Sequence, residues 1–237
     1  LYENSVPLTA HWCRARLASS RDDWPAAEHH CADLLAISPA SHGARRLHAH
    51  SLMQQKRFSE AAESYYTMYE NTEQDKTGLW DYMFAANAAG DWAKVREAAA
   101  TLEMELDSNE GPIEEEWGTV IVRYFEDGEP VDYYAQRTGP VSARIFENAR
   151  GNWQQHVADW VVFDANPVFP VPEDEEERAN FTRTFRHVHT LAQGGFGQGW
   201  LADGAYPGDE PFEQMRDQLQ SRGWKVWIHS GTDYEVH

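Results

Sequence analysis

Histidines are the side chains in this sequence whose types and spacing could hold a metal ion. His187 and His189 alternate on a predicted strand, so we expect both imidazoles on one face of a sheet. His229 lies on the last predicted strand, with His156 and Asp203 on neighbouring segments. Three imidazoles and a carboxylate would form an open zinc or iron site. No histidine pair has a tight helical metal spacing, however, and same-face histidines on a strand are usually surface residues. We therefore predict no metal and no cofactor.

Two further segments resemble ligand-binding loops but are predicted to be turns. Residues 194–199 (GGFGQG) lack the GxGxxG order, and a strand rather than a helix is predicted to follow, so no helix N-terminus can hold a phosphate. Asp203 and Asp209 could hold a cation, but Asp209 suits a helix N-cap and Pro211 a first helical turn. The sequence also lacks a Gly-x-Ser-x-Gly elbow, a P-loop and a His-Glu-x-x-His motif. We therefore predict no catalytic residues and a protein that is not an enzyme.

The charge balance argues against several classes of partner. The chain has 20 Lys and Arg against 39 Asp and Glu, a net charge of −19, and residues 108–237 hold 23 of the acidic residues. Nucleic acids and anionic membranes require clustered Lys and Arg, so we expect neither as a partner. No apolar run approaches the ~18–20 residues that cross a bilayer. No signal peptide is visible, although the chain starts at Leu1 rather than Met, and a cytoplasmic location is expected by default.

A repeat of 34 residues organises the first half of the chain and would position any functional side chains there. The aromatic residues Trp24, Phe58 and Trp92 recur at this spacing. Small or apolar residues follow each of them three, seven and ten positions later, beginning with Ala27, Ala61 and Val95. Such a period is typical of helix–turn–helix units that bury their apolar faces only by stacking on one another. We predict three helix pairs, over residues 7–20 and 24–37, 42–56 and 58–72, and 77–89 and 92–106.

This pattern resembles the tetratricopeptide repeat (TPR) family, which has a small-turn-aromatic-x-x-Ala motif and a proline twelve residues after the Ala. Ala27 and Pro39 fit that spacing, whereas Glu73 and Asp107 replace the later prolines. The family's large-Leu and Gly positions in the first helix are also poorly kept. The resemblance implies that the first helix of each pair lines a concave groove. The implied groove residues, some of which would instead pack on the next repeat, are Trp12, Arg16, Arg46, His50, Trp80 and Phe84.

The two cysteines lie within the first predicted repeat. Cys13 and Cys31 would occupy inward positions on facing helices, and free cysteine is among the most buried residue types. We predict two small core side chains rather than a disulfide or a metal pair.

The second half of the chain changes to an alternating, β-type pattern. Residues 1–107 are predicted as the helical repeat domain, the polar residues 108–116 as a linker, and residues 117–237 as an α+β domain. We predict mostly antiparallel strands, an Asp127-Gly128 hairpin, a solvated acidic loop at 173–177, and one helix over 210–221. The predicted strands cover residues 119–125, 130–136, 141–148, 155–163, 182–192, 198–202 and 224–230. About 55 residues at the end of the chain have a faint similarity to the ribonuclease E regulator B family.

Three functional hypotheses follow from these observations. The first is a non-enzymatic, bacterial-type adaptor or scaffold, whose groove captures a protein or peptide segment and whose α+β domain caps the array or adds a second surface. The second is a metal-dependent enzyme domain carrying His187, His189 and His229, with the repeats as a targeting arm. The third is an acidic regulator that inhibits a nuclease or a toxin through its negative charge.

Overall fold

The structure, a computed structural model, describes residues 5–72, 76–149, 153–197, 199–200, 202 and 204–226. The chain divides into two compact units, residues 1–198 and residues 199–237. The first unit contains a helical array and a β-barrel, and the second contains one described helix. Each unit is described by itself.

The N-terminal half of the first unit is an array of six consecutive helices, each packed against the next, which confirms the predicted helical array. No described helix combines the length and the apolar character that a membrane span requires. The helices are α1 (Ser5–Ser19), α2 (Trp24–Ile37), α3 (His42–Gln54), α4 (Phe58–Glu70), α5 (Thr77–Ala88) and α6 (Trp92–Thr101).

The 34-residue spacing marks the starts of the even-numbered helices. Trp24, Phe58 and Trp92 are the first residues of α2, α4 and α6. Asp23 and Asp91 precede two of them, and each carboxylate accepts a hydrogen bond from a backbone N–H of the first turn, which stabilises the helix start. The residues three positions after each aromatic, Ala27, Ala61 and Val95, are fully buried. The sequence repeat is therefore a repeat of helix starts and of helix–helix contacts.

Two details of the array differ from the prediction. Helix α6 ends at Thr101 rather than near 106, because Glu103 adopts a left-handed φ of 60° and the Met104 N–H bonds back to the Ala99 carbonyl. This arrangement is a helix-terminating motif that glycine usually forms. Cys13 is exposed, whereas Cys31 is buried, and both thiols are free. Burial, followed by the charge of Glu28, raises the pKa of Cys31 to about 12.

The second half of the first unit is a closed five-stranded barrel in the order β1-β2-β3-β4-β5. Four of the five neighbouring strand pairs are antiparallel. The fifth pair, β1 with β5, is parallel and closes the barrel. The predicted hairpin is confirmed: β1 and β2 meet at Asp127 and Gly128, both with positive φ as a two-residue turn requires. The strands are β1 (Thr119–Glu126), β2 (Glu129–Arg137), β3 (Ser142–Ile145), β4 (Trp160–Phe163) and β5 (Thr184–Ala192).

The acidic segment predicted as a loop contains a short helix, α7 (Glu175–Ala179). The Asp174 carboxylate accepts hydrogen bonds from the N–H groups of Glu176 and Glu177, and acidic residues are favourable in the first turn of a helix. The described residues of the predicted strands at 198–202 and 224–230 are not in strands, and the rest of those segments lies outside the described residues.

The helical array and the barrel share one hydrophobic core. Ile113, Val141 and Val162 belong to the same buried cluster as residues from α3 to α6, and helix α5 contacts both β4 and β5. The Trp92 ring stacks on the Trp160 ring of β4 at 5.4 Å. The segment 108–116, predicted as a linker, is held in place: the Arg96 side chain donates to the carbonyl oxygens of Ser108 and Gly111, and Ile113 is 1% exposed.

The second unit contains the predicted C-terminal helix, α8 (Asp209–Ser221). The Tyr206 hydroxyl donates a hydrogen bond to the Asp209 carboxylate, and the Tyr206 ring packs on Phe212 at 5.8 Å. Gly223, with a φ of 84°, follows the end of the helix as expected for a terminating glycine. None of the residues of α8 is fully buried.

Ile113→Ala is expected to lower the free energy of unfolding by about 2–4 kcal/mol, because it removes buried methyl and methylene groups from the shared core. The matched control is Ile37→Ala, at a side chain that is 39% exposed, where the cost is expected to stay below about 1 kcal/mol. Urea denaturation followed by circular dichroism measures both. Equal losses in the two variants would show that the 108–116 segment does not contribute to the core.

Candidate binding surface

Trp12 and Arg16 of α1 form an aromatic–cation pair on the outermost helix pair of the array. The Arg16 guanidinium lies 5.7 Å from the centroid of the Trp12 ring, within the range of a cation–π contact. Arg16 is exposed and Trp12 is half-buried. Trp12 lies over Gly43 at the start of α3, where an added Cβ would come within 3.4 Å of the ring. Such a distance is an ordinary van der Waals contact, so the indole packs on the start of α3.

Arg46 and His50 of α3 are the next two of the predicted groove residues. Arg46 lies 3.9 Å from the carboxylate of Asp81 on α5, and its side chain remains 65% exposed. An exposed ion pair at this distance contributes at most about 1 kcal/mol to stability, so most of the guanidinium's donors stay available to a partner. His50 is exposed and contacts the edge of Trp24 at 5.3 Å.

Trp80 and Phe84 of α5 are placed less favourably for binding than the TPR resemblance implies. Trp80 is half-buried and packs against the main core. Phe84 is 9% exposed and contacts the ring of Tyr65 on α4 at 5.7 Å. Phe84 is thus a core residue in this conformation, because α5 packs on α4 as well as on the barrel. The candidate surface therefore consists of Trp12, Arg16, Arg46, His50 and the exposed part of Trp80.

A barrel carboxylate, Asp164, influences this surface from just beyond the end of β4. Burial raises the pKa of Asp81 to about 6; the Arg46 charge opposes the shift and the Asp164 charge adds to it. Asp164 is oriented by hydrogen bonds from the backbone and side-chain N–H groups of Asn166. The surface therefore combines exposed cations with a carboxylate, Asp81, that titrates near neutral pH.

His187 and His189 lie on opposite faces of β5, which corrects the expectation that they share one. Residues Val188 and Leu191 have no partner in β4, so the register shifts twice along the strand pair. His187 pairs with Phe163, on the barrel-core side, and its ring stacks on Tyr124 at 4.2 Å. His189 pairs with Val162, on the side of the helical array, and its ring contacts Phe58 of α4 at 4.6 Å. His229, the third predicted ligand, lies outside the described residues.

His156 forms a buried network that the sequence analysis did not resolve. Its Nε2 lies 3.0 Å from the Glu126 carboxylate and its Nδ1 lies 3.1 Å from that of Asp159. Asp159 also accepts a hydrogen bond from the Gly194 N–H, and Tyr124 stacks on the imidazole at 3.9 Å. A general base needs one free ring nitrogen directed at a substrate. Here both nitrogens bind carboxylates and the residue is 6% exposed, so the network fastens loops to the barrel rather than performing catalysis.

A different histidine pair, on the first two helices, has the geometry to hold a metal ion. Among the described residues, His11, His30 and Asp33 each offer a ligand atom within 4.8 Å of the others. The Nδ1 atoms of both histidines are buried and make no hydrogen bond, and that of His11 lies 3.4 Å from the Asp33 carboxylate. Two imidazoles and a carboxylate would leave an open position on a zinc ion. The sequence signal was the i, i+3 spacing of His30 and Asp33, which needs His11 from a second helix.

No protein-family model matches this sequence, and no curated protein matches it. The resemblance to TPR proteins consequently rests on the 34-residue spacing and on the six packed helices. Function is inferred from the described side chains.

Asp81→Asn is expected to stabilise the protein at pH 7 by up to about 3 kcal/mol, since the folded state raises the pKa of Asp81 from 3.8 to about 6. Between these values the folded protein retains a proton that the unfolded chain has lost. Relative to the Asp81→Asn variant, the wild-type free energy of unfolding therefore falls as pH rises from about 4 to 6. Above that window the difference between the two proteins stays constant.

Urea denaturation at pH 4, 5, 6 and 7 measures this difference, which is expected to be smallest at pH 4 and largest at pH 7. Asp217→Asn, at a side chain that is 70% exposed, is the control and should show no such trend. A stability difference between Asp81→Asn and wild type that is the same at every pH would contradict the assigned titration.

Proposed function

We propose that this protein is a non-enzymatic interaction protein whose helical array binds a segment of another polypeptide. The observation that carries the proposal is the set of exposed cations and partly exposed tryptophans on α1, α3 and α5. Arg16 lies on Trp12, and Arg46 is 65% exposed in a chain whose net charge is −19. Trp and Arg are the residues that most often dominate binding energy at protein interfaces.

The proposed binding mode is that of a TPR-like array. The 34-residue spacing and three consecutive helix pairs support it. In the TPR family the first helix of each pair lines the groove, and here α1, α3 and α5 contribute Trp12, Arg46 and Trp80. Small helical arrays also need their ends covered. The packing of β4 and β5 on α5 fits a barrel that supplies this cover.

The chemistry of the surface favours an acidic segment with an apolar anchor as the partner. Arg16 and Arg46 have guanidinium donors available for carboxylates, and the Trp12 indole offers a flat apolar face. The Asp81 carboxylate would repel a partner carboxylate that lies beside it. Binding should therefore strengthen as Asp81 becomes protonated below pH 6. The partner is a protein or peptide; neither nucleic acid nor membrane is included in the proposal.

The test is selection of binding peptides from a displayed random library on the wild-type protein. The affinities of the selected peptides are then measured by calorimetry for wild type and for the double variant Arg16→Glu/Arg46→Glu. Reversing both charges is expected to weaken binding about tenfold or more, because attraction to the peptide carboxylates becomes repulsion.

The matched control is Arg14→Glu/Arg21→Glu, which changes the net charge equally at two exposed positions outside the candidate surface. Its affinity is expected to stay within about threefold of wild type, since distant exposed charges are screened. Circular dichroism verifies that both double variants are folded. Equal affinity of the two double variants, or failure to select any peptide, would count against the proposal.

A further inference from the structure

One end of the barrel contains a cleft lined by three arginines. The cleft has a volume of about 160 Å³ and lies where β1 begins and β2 ends, under the segment that follows α7. Arg137, Arg178 and Arg183 line it together with the rings of Trp117 and Phe181. None of these residues belongs to the helical array, so the cleft is independent of the proposed binding surface.

Arg137 ends β2 and is held rigidly by neutral groups. Its Nε donates to the Gly139 carbonyl oxygen at 3.0 Å, and one terminal nitrogen donates to the Pro140 carbonyl oxygen. The guanidinium lies 5.1 Å from the centroid of the Trp117 ring and 5.7 Å from that of Phe163. Among the described residues no carboxylate pairs with it. Three of its five N–H donors therefore make no hydrogen bond to the described residues.

Arg178 and Arg183 add two more cations, and neither pairs with a carboxylate among the described residues. Arg178 donates to the backbone carbonyl oxygens of Pro172 and Glu173, and the Arg183 side chain makes no hydrogen bond or ion pair within the described part of the chain. Burial, followed by the charge of Arg183, lowers the pKa of Arg137 to about 10, so the arginines disfavour one another's charge. An arginine remains protonated at neutral pH even so, and the repulsion persists.

This arrangement is unusual in a chain with 39 acidic residues. The side chains of Glu175, Glu176 and Glu177 on α7 are exposed, and none pairs with a cleft arginine. A half-buried cation without a counter-charge destabilises a folded protein, and a bound anion would offset that cost. The geometry therefore points to an anion as the missing partner.

We propose that the cleft binds the phosphate group of a small molecule. Guanidinium groups suit phosphate because their planar N–H donors match its oxygen atoms in pairs. A cavity of about 150 Å³ accommodates a benzene-sized group, so the cleft has room for a phosphate and part of a compact substituent. The rings of Trp117 and Phe181 provide apolar walls for such a substituent.

Calorimetry in phosphate-free, low-salt buffer tests this assignment with inorganic phosphate, phenyl phosphate and benzoate as probes. We expect saturable binding of one phosphate group per chain, which weakens as salt is added. Tighter binding of phenyl phosphate would show that the aromatic walls contact the substituent. Equal binding of the two phosphates would show that the phosphate group alone is recognised. Both results support the proposal, and benzoate is expected to bind at least tenfold more weakly.

Arg183→Gln is the decisive variant, because its exposed side chain holds no other group in place. Loss of one charged hydrogen-bond donor is expected to weaken phosphate binding about tenfold to a hundredfold. Arg186→Gln, three residues further along the chain, on β5 and outside the cleft, is the matched control and should bind as wild type does. Arg178→Gln provides a second variant if Arg183→Gln fails to fold by circular dichroism.

Three results would overturn the proposal. The first is no binding heat with either phosphate at millimolar concentration. The second is unchanged affinity in the folded arginine variants, and the third is benzoate binding as tight as phosphate binding. None of these results bears on the proposed polypeptide surface, because Arg16 and Arg46 do not line the cleft.

Discussion

The packing of the barrel on helix α5 is the interaction on which the rest of the first unit depends. A short helical array exposes an apolar face at its end, because each helix pair buries its own face only against a neighbour. Here Ile113, Val141 and Val162 cover that face and join the core that runs from α3 to α6. Burial contributes about 25 cal/mol for each Å² of apolar surface removed from water, so this shared core stabilises both parts.

The irregular register of β5 allows one short strand to contribute side chains both to the barrel core and to the core shared with the helical array. Val188 has no partner in β4 and lies between the two histidines, which reverses the usual alternation, so His187 turns into the barrel and His189 toward α4. Burial, followed by the charges of His156 and His189, lowers the pKa of His187 to about 4, which keeps this imidazole neutral at physiological pH. Both imidazoles contact aromatic rings, His187 that of Tyr124 in the barrel and His189 that of Phe58 in the array.

The net charge of the chain conceals two local concentrations of arginine. Exposed charges more than about 8 Å apart are largely screened at physiological salt, so the total charge of −19 does not decide what binds at one site. Arg16 and Arg46 on the array are open to a polypeptide. Arg137, fixed under aromatic rings in the barrel, suits a small anion instead. The two proposed sites differ because one is a broad surface and the other a cleft at one end of the barrel.

The sequence by itself determined the features that depend on neighbouring residues. The aromatic residues beginning at Trp24 marked the helix starts, and Asp127-Gly128 marked a hairpin, because caps and tight turns need particular side chains or positive φ within a few positions. Only the tertiary structure decided which strands close the barrel, why Phe84 is buried, and how Arg137 and Arg183 come to face one cleft. These outcomes join residues far apart in the chain, and an antiparallel pattern in the sequence does not reveal that β5 returns parallel to β1. Local spacing fixes the elements, whereas the sites arise from packing between elements, which no short segment encodes.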